Sequence, residues 1–214
     1  VCNMGAIALT DSMIIGGKEA NRRKIPVVLD PVAVGGTQLR RDAAKRLLKE
    51  VHFTAIRGNA SEIRYLAGQQ TTGAGVDVSD LDAITEENLP EAQEMIKNLA
   101  KSLGTVIAVS GVIDLVSDGE RTMVLRNGCA TMSRITGSGC MLTSMIGAFA
   151  GAAAEDPFTA TCAAMAAMGI AGEIAEKKRI KNGTGNATFR TDLIDAVFNL
   201  TEEELTKGAR YEIF

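Results

Sequence analysis

The chain has 214 residues, 46% of them hydrophobic, and a formal net charge of −3. That length suits one α/β domain with a full core and is short for two. The mild acidity and the 4% aromatic content exclude a nucleic-acid surface built of basic and stacking residues.

In chain order, Val1-Cys2-Asn3-Met4-Gly5 reads as the tail of a strand, so the sequence is expected to enter its domain after a missing strand and helix. Helical periodicity over residues 10–24 leads to a β-branched run, Pro26-Val27-Val28-Leu29-Asp30. A helix over 41–51 precedes the run Phe53-Thr54-Ala55-Ile56-Arg57, and helices over 60–66 and 86–103 precede Thr105-Val106-Ile107-Ala108-Val109-Ser110. Strand and helix in alternation predict a mostly parallel central sheet joined by crossovers, with helices on both faces. Residues 112–117 and 121–126 then read as a hairpin around Asp118-Gly119-Glu120. A glycine turn opens an apolar helix to about residue 154, Glu155-Asp156-Pro157 breaks it, and an Ala-rich helix covers 157–178. A charged helix over 201–207 closes the pattern. Without repeats or low-complexity linkers, residues 1–214 form a single domain on this reading.

The stretch 138–154 approaches membrane-spanning length. It falls short of the roughly 20 apolar residues a span needs and carries Gly, Ser and Thr in its first turns. It reads as a buried core helix, and no membrane partner is expected. Cys2, Cys129, Cys140 and Cys162 show no Cys-x-x-Cys spacing, which argues against zinc and for a reducing, cytoplasmic setting.

Each predicted parallel strand ends in a polar residue before a Gly-containing loop: Asp30, Arg57 and Ser110. Ligands of open α/β sheets bind off the carboxyl ends of strands, so these three are expected along one edge. Plainer explanations stand beside that one. Asp30-Pro31 starts a turn readily, and Asn59 with Glu62 makes a capping box. A carboxylate at Glu62 could also hold a metal ion through water. The turn Thr136-Gly137-Ser138-Gly139-Cys140 leaves backbone N–H groups free at the positive end of a helix, a natural place for phosphate. Cys140 there is either a small core hydrophobe or a thiol favoured as an anion by the helix end. Cys129 and Cys162 take the first explanation. His52 has no partner in sequence and reads as a packing or surface residue. Lys177, Lys178, Arg179 and Lys181 end a helix, where cations complement its dipole.

Three segments together carry a resemblance: Val27-Val28-Leu29-Asp30-Pro31-Val32-Ala33-Val34-Gly35, Ile56-Arg57-Gly58-Asn59-Ala60-Ser61-Glu62-Ile63, and Thr136-Gly137-Ser138-Gly139-Cys140. With Phe189-Arg190-Thr191-Asp192-Leu193-Ile194-Asp195-Ala196 they span most of the chain, and they resemble the hydroxyethylthiazole kinase family. Its specific mark is Cys in the glycine turn, where most ribokinase-like kinases resemble one another in having Asp. The resemblance implies a ribokinase-like three-layer sandwich and ATP-dependent phosphorylation of the hydroxyl of 4-methyl-5-(2-hydroxyethyl)thiazole, toward thiamine. It implies Cys140 as the catalytic residue, Gly137 on the thiazole side, and an anion hole from the N–H groups of Gly137, Ser138, Gly139 and Cys140. Arg57 and Ser110 match ATP contacts, and Glu62 and Asp30 match positions associated with Mg2+ and phosphate. A cytoplasmic homotrimer is implied as well. The alternatives are a hydroxymethylpyrimidine-type kinase or a nicotinamide-cofactor repair dehydratase, against which Cys140 speaks, and a nucleotide-binding fragment without catalysis.

Overall fold

In the computed structural model, the described residues are 1–68 and 83–214. The chain opens with β1 (Cys2–Asn3), a 3-10 turn (Met4–Leu9) and α1 (Thr10–Arg22), then β2 (Val28–Asp30), α2 (Gln38–Glu50), β3 (Ala55–Asn59) and α3 (Ala60–Leu66). After α4 (Leu89–Leu103) come β4 (Val106–Ser110), β5 (Asp114–Ser117) and β6 (Thr122–Leu125). A short 3-10 segment (Ala130–Arg134) precedes α5 (Ser138–Ala152), α6 (Pro157–Asn182), α7 (Asn186–Asn199), α8 (Glu202–Gly208) and β7 (Tyr211–Ile213).

All these strands share one seven-stranded sheet in the order β1-β2-β3-β4-β5-β6-β7. The pairings from β1 to β4 are parallel, and those from β4 to β7 antiparallel. The sheet is therefore mixed: the expected hairpin and the added β7 extend the parallel half. Crossovers of one hand that step in one direction lay their helices on one face. Helices α1 to α4 do so, packing Leu47, Ile63 and Ile96 against Leu29, Ile56 and Ile107.

The other face belongs to α5, α6 and α7. There the strands present Val28, Ala55, Val106, Ala108 and Val116, a shallower surface that lets Ile146, Ala164, Met165 and Phe189 approach closely. Successive strand residues alternate between the two cores, as the two-residue period of a strand requires. Helix α6 is long and apolar enough to cross a membrane by composition, yet 78% of its apolar window is buried, the pattern of a core helix. At its end Lys178 pairs with the buried Asp192 of α7, so one cation of the basic run ties two helices together.

The parallel half aligns its carboxyl ends. Asn3 sits opposite Asp30, and Asn59 opposite Ser110. Because Val28, Ala55 and Ala108 face α5 to α7, the residues two further on do too. Asp30, Arg57 and Ser110 thus emerge on one face of one edge, and Asn3 joins them because its neighbour Cys2 faces the other core.

Candidate active site

Helix α5 starts at that same edge. Its N-cap, Gly137, has φ +97°, a left-handed conformation that suits glycine, and makes no side-chain cap. The first backward bond runs from the Met141 N–H to the Gly137 carbonyl at 2.9 Å. The N–H groups of Ser138, Gly139 and Cys140 therefore have no acceptor within the helix. Ser138 ties the turn down through its hydroxyl, which donates to the Met132 carbonyl at 3.0 Å.

Arg57 reaches this turn from β3. Its Nη2 donates to the Ser110 hydroxyl, and its Nη1 lies 3.9 Å from Asp30 Oδ2. The guanidinium rests on Gly139, where a Cβ would sit 2.6 Å from Nη1, so only glycine leaves room. Arg57 Nε is buried without an acceptor among the described residues. The expectation that Asp30, Arg57 and Ser110 gather beside the glycine turn is met.

Asp30 is 2% exposed and takes its bonds on one oxygen. Oδ2 accepts from Thr143 Oγ1 at 2.9 Å and from Asn3 Nδ2 at 3.0 Å. Burial pushes its carboxyl above the ordinary range, with Arg57 and the Thr143 bond pulling the other way. Asn3 Nδ2 also donates to Cys140 Sγ at 3.3 Å. Cys140 is exposed, whereas Cys2 and Cys162 are buried, so it is no core hydrophobe.

Glu62 serves as a cap and as an anchor. The capping box forms: the Glu62 N–H donates to Asn59 Oδ1 at 2.9 Å, and the Asn59 N–H returns to Glu62 Oε2 at 2.8 Å. The other oxygen, Oε1, accepts from the Ala33 N–H at 2.7 Å, holding a residue at φ +52° in the loop after β2. Such a conformation costs a non-glycine residue about 1 kcal/mol or more. Burial raises the Glu62 carboxyl above its usual value; bonds from Ala33 and Asn59 oppose this, and Asp30 adds to it. With each oxygen already on an amide, Glu62 suits a cation met through water. The described residues contain no group of three or more His, Cys, Asp or Glu able to cage a metal.

Asn3, Thr143 and Asp114 belong to this site but were not expected from the sequence. Asp114 begins β5 on the face that carries Arg57, and its Oδ1 accepts from the Gly111 N–H at 2.8 Å, shaping the turn after Ser110. Burial lifts its carboxyl to about 7, against pulls from Gly111 and Arg57. Three buried acids (Asp30, Glu62 and Asp114) therefore feel one buried cation, Arg57. That surplus of negative charge is what a divalent ion beside phosphates would offset.

His52 lies elsewhere. It lines a cavity of about 560 Å³ that Pro26, Thr54 and Thr105 place at the opposite, amino end of the strands. The arginine there, Arg121, is held by Asp118 and Asp156 and stacks 4.2 Å over Phe158.

Strand tips meeting a glycine-lined helix start on a mixed sheet fit the ribokinase-like kinase fold that the sequence motifs resemble. The solved structure of a hydroxyethylthiazole kinase from Pyrococcus horikoshii OT3 matches with a TM-score of 0.78 at 30% identity, covering 96% of this chain and 72% of that one. The family model described as "Hydroxyethylthiazole kinase family" matches residues 1–203, and the chain belongs to that family. Hydroxyethylthiazole kinase of Clostridium acetobutylicum is 45% identical over 204 residues, which is 95% of this chain and 74% of the relative. The enzyme of Clostridium beijerinckii is 44% identical over 209 residues, 97% of this chain and 74% of that relative.

Proposed function

We propose that the chain transfers the terminal phosphoryl group of ATP to the hydroxyl of 4-methyl-5-(2-hydroxyethyl)thiazole, a salvage step toward thiamine. The observation that carries this reading is the convergence of Arg57, Ser110 and Asp30 on the uncapped start of α5, beside an exposed Cys140. Phosphoryl transfer passes through a loose transition state, so the protein mainly positions its partners and offsets charge. Arg57 and Ser110 hold the nucleotide phosphates. The N–H groups of Gly137, Ser138, Gly139 and Cys140 receive the charge on the transferring group, as a helix start does for anions. Gly137 lines the thiazole side, and Cys140 orients the hydroxyl. A thiol suffices there because the alcohol loses its proton late.

The acids fit Mg2+: Asp30 leaves Oδ1 outside its recorded bonds, Glu62 approaches through water, and their mutual repulsion is relieved by a cation. When bound, Mg2+ neutralises charge on the phosphates. The chain works in this reading as one kinase domain, in the cytoplasm, within a homotrimer.

The test is ADP release by the purified chain with ATP, Mg2+ and the thiazole alcohol, with hydroxymethylpyrimidine as the competing alcohol. Preference for the thiazole alcohol is expected. ATP binding without turnover of either alcohol defeats the proposal in favour of a non-catalytic nucleotide binder. Cys140→Ala should lower kcat roughly tenfold to a hundredfold, and Cys140→Asp should stay folded and active. Full activity in Cys140→Ala, with an inert but folded Cys140→Asp, removes Cys140 from the chemistry.

A further inference from the structure

We infer that Asn3 is a positioning residue for phosphoryl transfer, fixing the Cys140 side chain through an amide whose orientation the surrounding structure dictates. The inference rests on the reading above that Cys140 faces the substrate hydroxyl.

The amide has one arrangement that satisfies its neighbours. Its Oδ1 accepts from the Gly5 N–H at 2.8 Å, so the NH2 end must point the other way. That nitrogen carries two hydrogens and has two acceptors: Asp30 Oδ2 at 3.0 Å and Cys140 Sγ at 3.3 Å. A flipped amide would set its oxygen against the Asp30 carboxylate and its nitrogen against the Gly5 donor. Asp30 is itself held by Thr143 from α5, and the β1–β2 register keeps Asn3 beside it. The three groups form a line in which Asp30 orients Asn3 and Asn3 orients the sulfur.

An amide NH2 only donates. Sulfur therefore receives the bond on a lone pair, and any thiol hydrogen points away from Asn3. The amide thus fixes both the side-chain rotamer of Cys140 and the direction in which its remaining lone pair or hydrogen can engage an alcohol. Exposed on the first turn of a helix, the cysteine sulfur has no other side-chain hydrogen-bond partner among the described residues. Asn3 also caps the 3-10 turn Met4–Leu9, which accounts for Oδ1. The cap does not account for Nδ2.

Asn3→Ser separates the two roles, because serine caps well but is too short to reach Sγ. In the assay with ATP, Mg2+ and the thiazole alcohol, Asn3→Ser should lower kcat about tenfold with the KM for ATP unchanged, as loss of one oriented bond in the transition state would. Its melting temperature should fall by only several degrees, the effect of losing the bond to Asp30. In a Cys140→Ala background the same Asn3→Ser change should have no further effect on kcat, since the group it positions is gone. Asn3→Thr, which also caps and lacks the amide donor, provides a second variant should the serine change disturb folding. Parental kcat in a folded Asn3→Ser variant overturns the inference. So does an undiminished tenfold loss in the Cys140→Ala background, which would leave the Cys140 assignment standing. Full kcat in Cys140→Ala overturns both.

Discussion

Asp114 stands with its carboxyl raised from 3.8 to about 7, mainly because β5 buries it. The unfolded chain releases that proton near pH 4 and the folded chain near 7. Between those values the folded state holds more protons, so stability falls as pH rises. The contribution is fully present below pH 4 and lost as pH passes through 7, on the order of 4 kcal/mol. Asp114→Asn keeps an acceptor for the Gly111 N–H and removes the buried charge. Unfolding free energies should therefore favour the variant more at pH 8 than at pH 5. A stability difference independent of pH would contradict this account. One rule, a polar residue at the carboxyl end of a parallel strand, picks out Asp30, Arg57 and Ser110 in the sequence. Applied to β1, the same rule points to Asn3. Asp114 lay beyond it, since it starts an antiparallel strand and meets the edge only because the hairpin folds back. Thr143 was hidden for another reason: a threonine in the second turn of an apolar helix looks like ordinary filling until Asp30 is placed opposite it.

At the scale of elements, the start of α5 and the tip of β3 are fitted to each other. Gly139 exists to admit Arg57, and the guanidinium is pinned by Ser110 above and Asp30 beside it. Gly139→Ala places a methyl group 2.6 Å from Nη1, so the Arg57 guanidinium has to shift, which should weaken its bond to Ser110. Steady-state kinetics should show the KM for ATP raised about tenfold, the cost of one charged hydrogen bond, with little change in melting temperature. An unchanged KM would mean that Arg57 serves the fold and not the nucleotide. Elements with a strong period were legible in sequence. Helix α3 covers Ala60–Leu66 as expected, while α4 starts at Leu89, three residues after its predicted start, with Pro90 in its first turn. Helix α7 is hard to see in the sequence because Phe189, Leu193 and Ala196 bury a narrow stripe amid Arg, Thr and Asp. Strand β7 is only three residues long, Tyr211-Glu212-Ile213, too short for its alternation to stand out in the sequence.

The whole molecule can be seen as two cores divided by one sheet, with a charged seam where the parallel strands end. The seam is unbalanced: Asp30, Glu62 and Asp114 surround Arg57 alone. Burial raises the affinity of all three acids for protons, with Asp30 adding to it at Glu62, and any cation that comes near offsets the same unfavourable charge. Bringing nucleotide alone adds more negative charge; bringing it with Mg2+ adds about half as much. Whole-chain stability should therefore separate the two. At about 100 times its dissociation constant, a ligand that binds only the folded state contributes about 2.7 kcal/mol. For a chain of this size that raises the melting temperature by roughly 5–10 °C. ATP with Mg2+ should reach this shift at pH 8, while ATP with a chelator should fall well short of it. At pH 5, where Asp114 holds its proton, the gap between the two should narrow, because that proton already removes part of the negative charge. Equal shifts with and without Mg2+ at pH 8 would mean that Arg57 and the helix start suffice for the phosphates, and that the acids serve the fold.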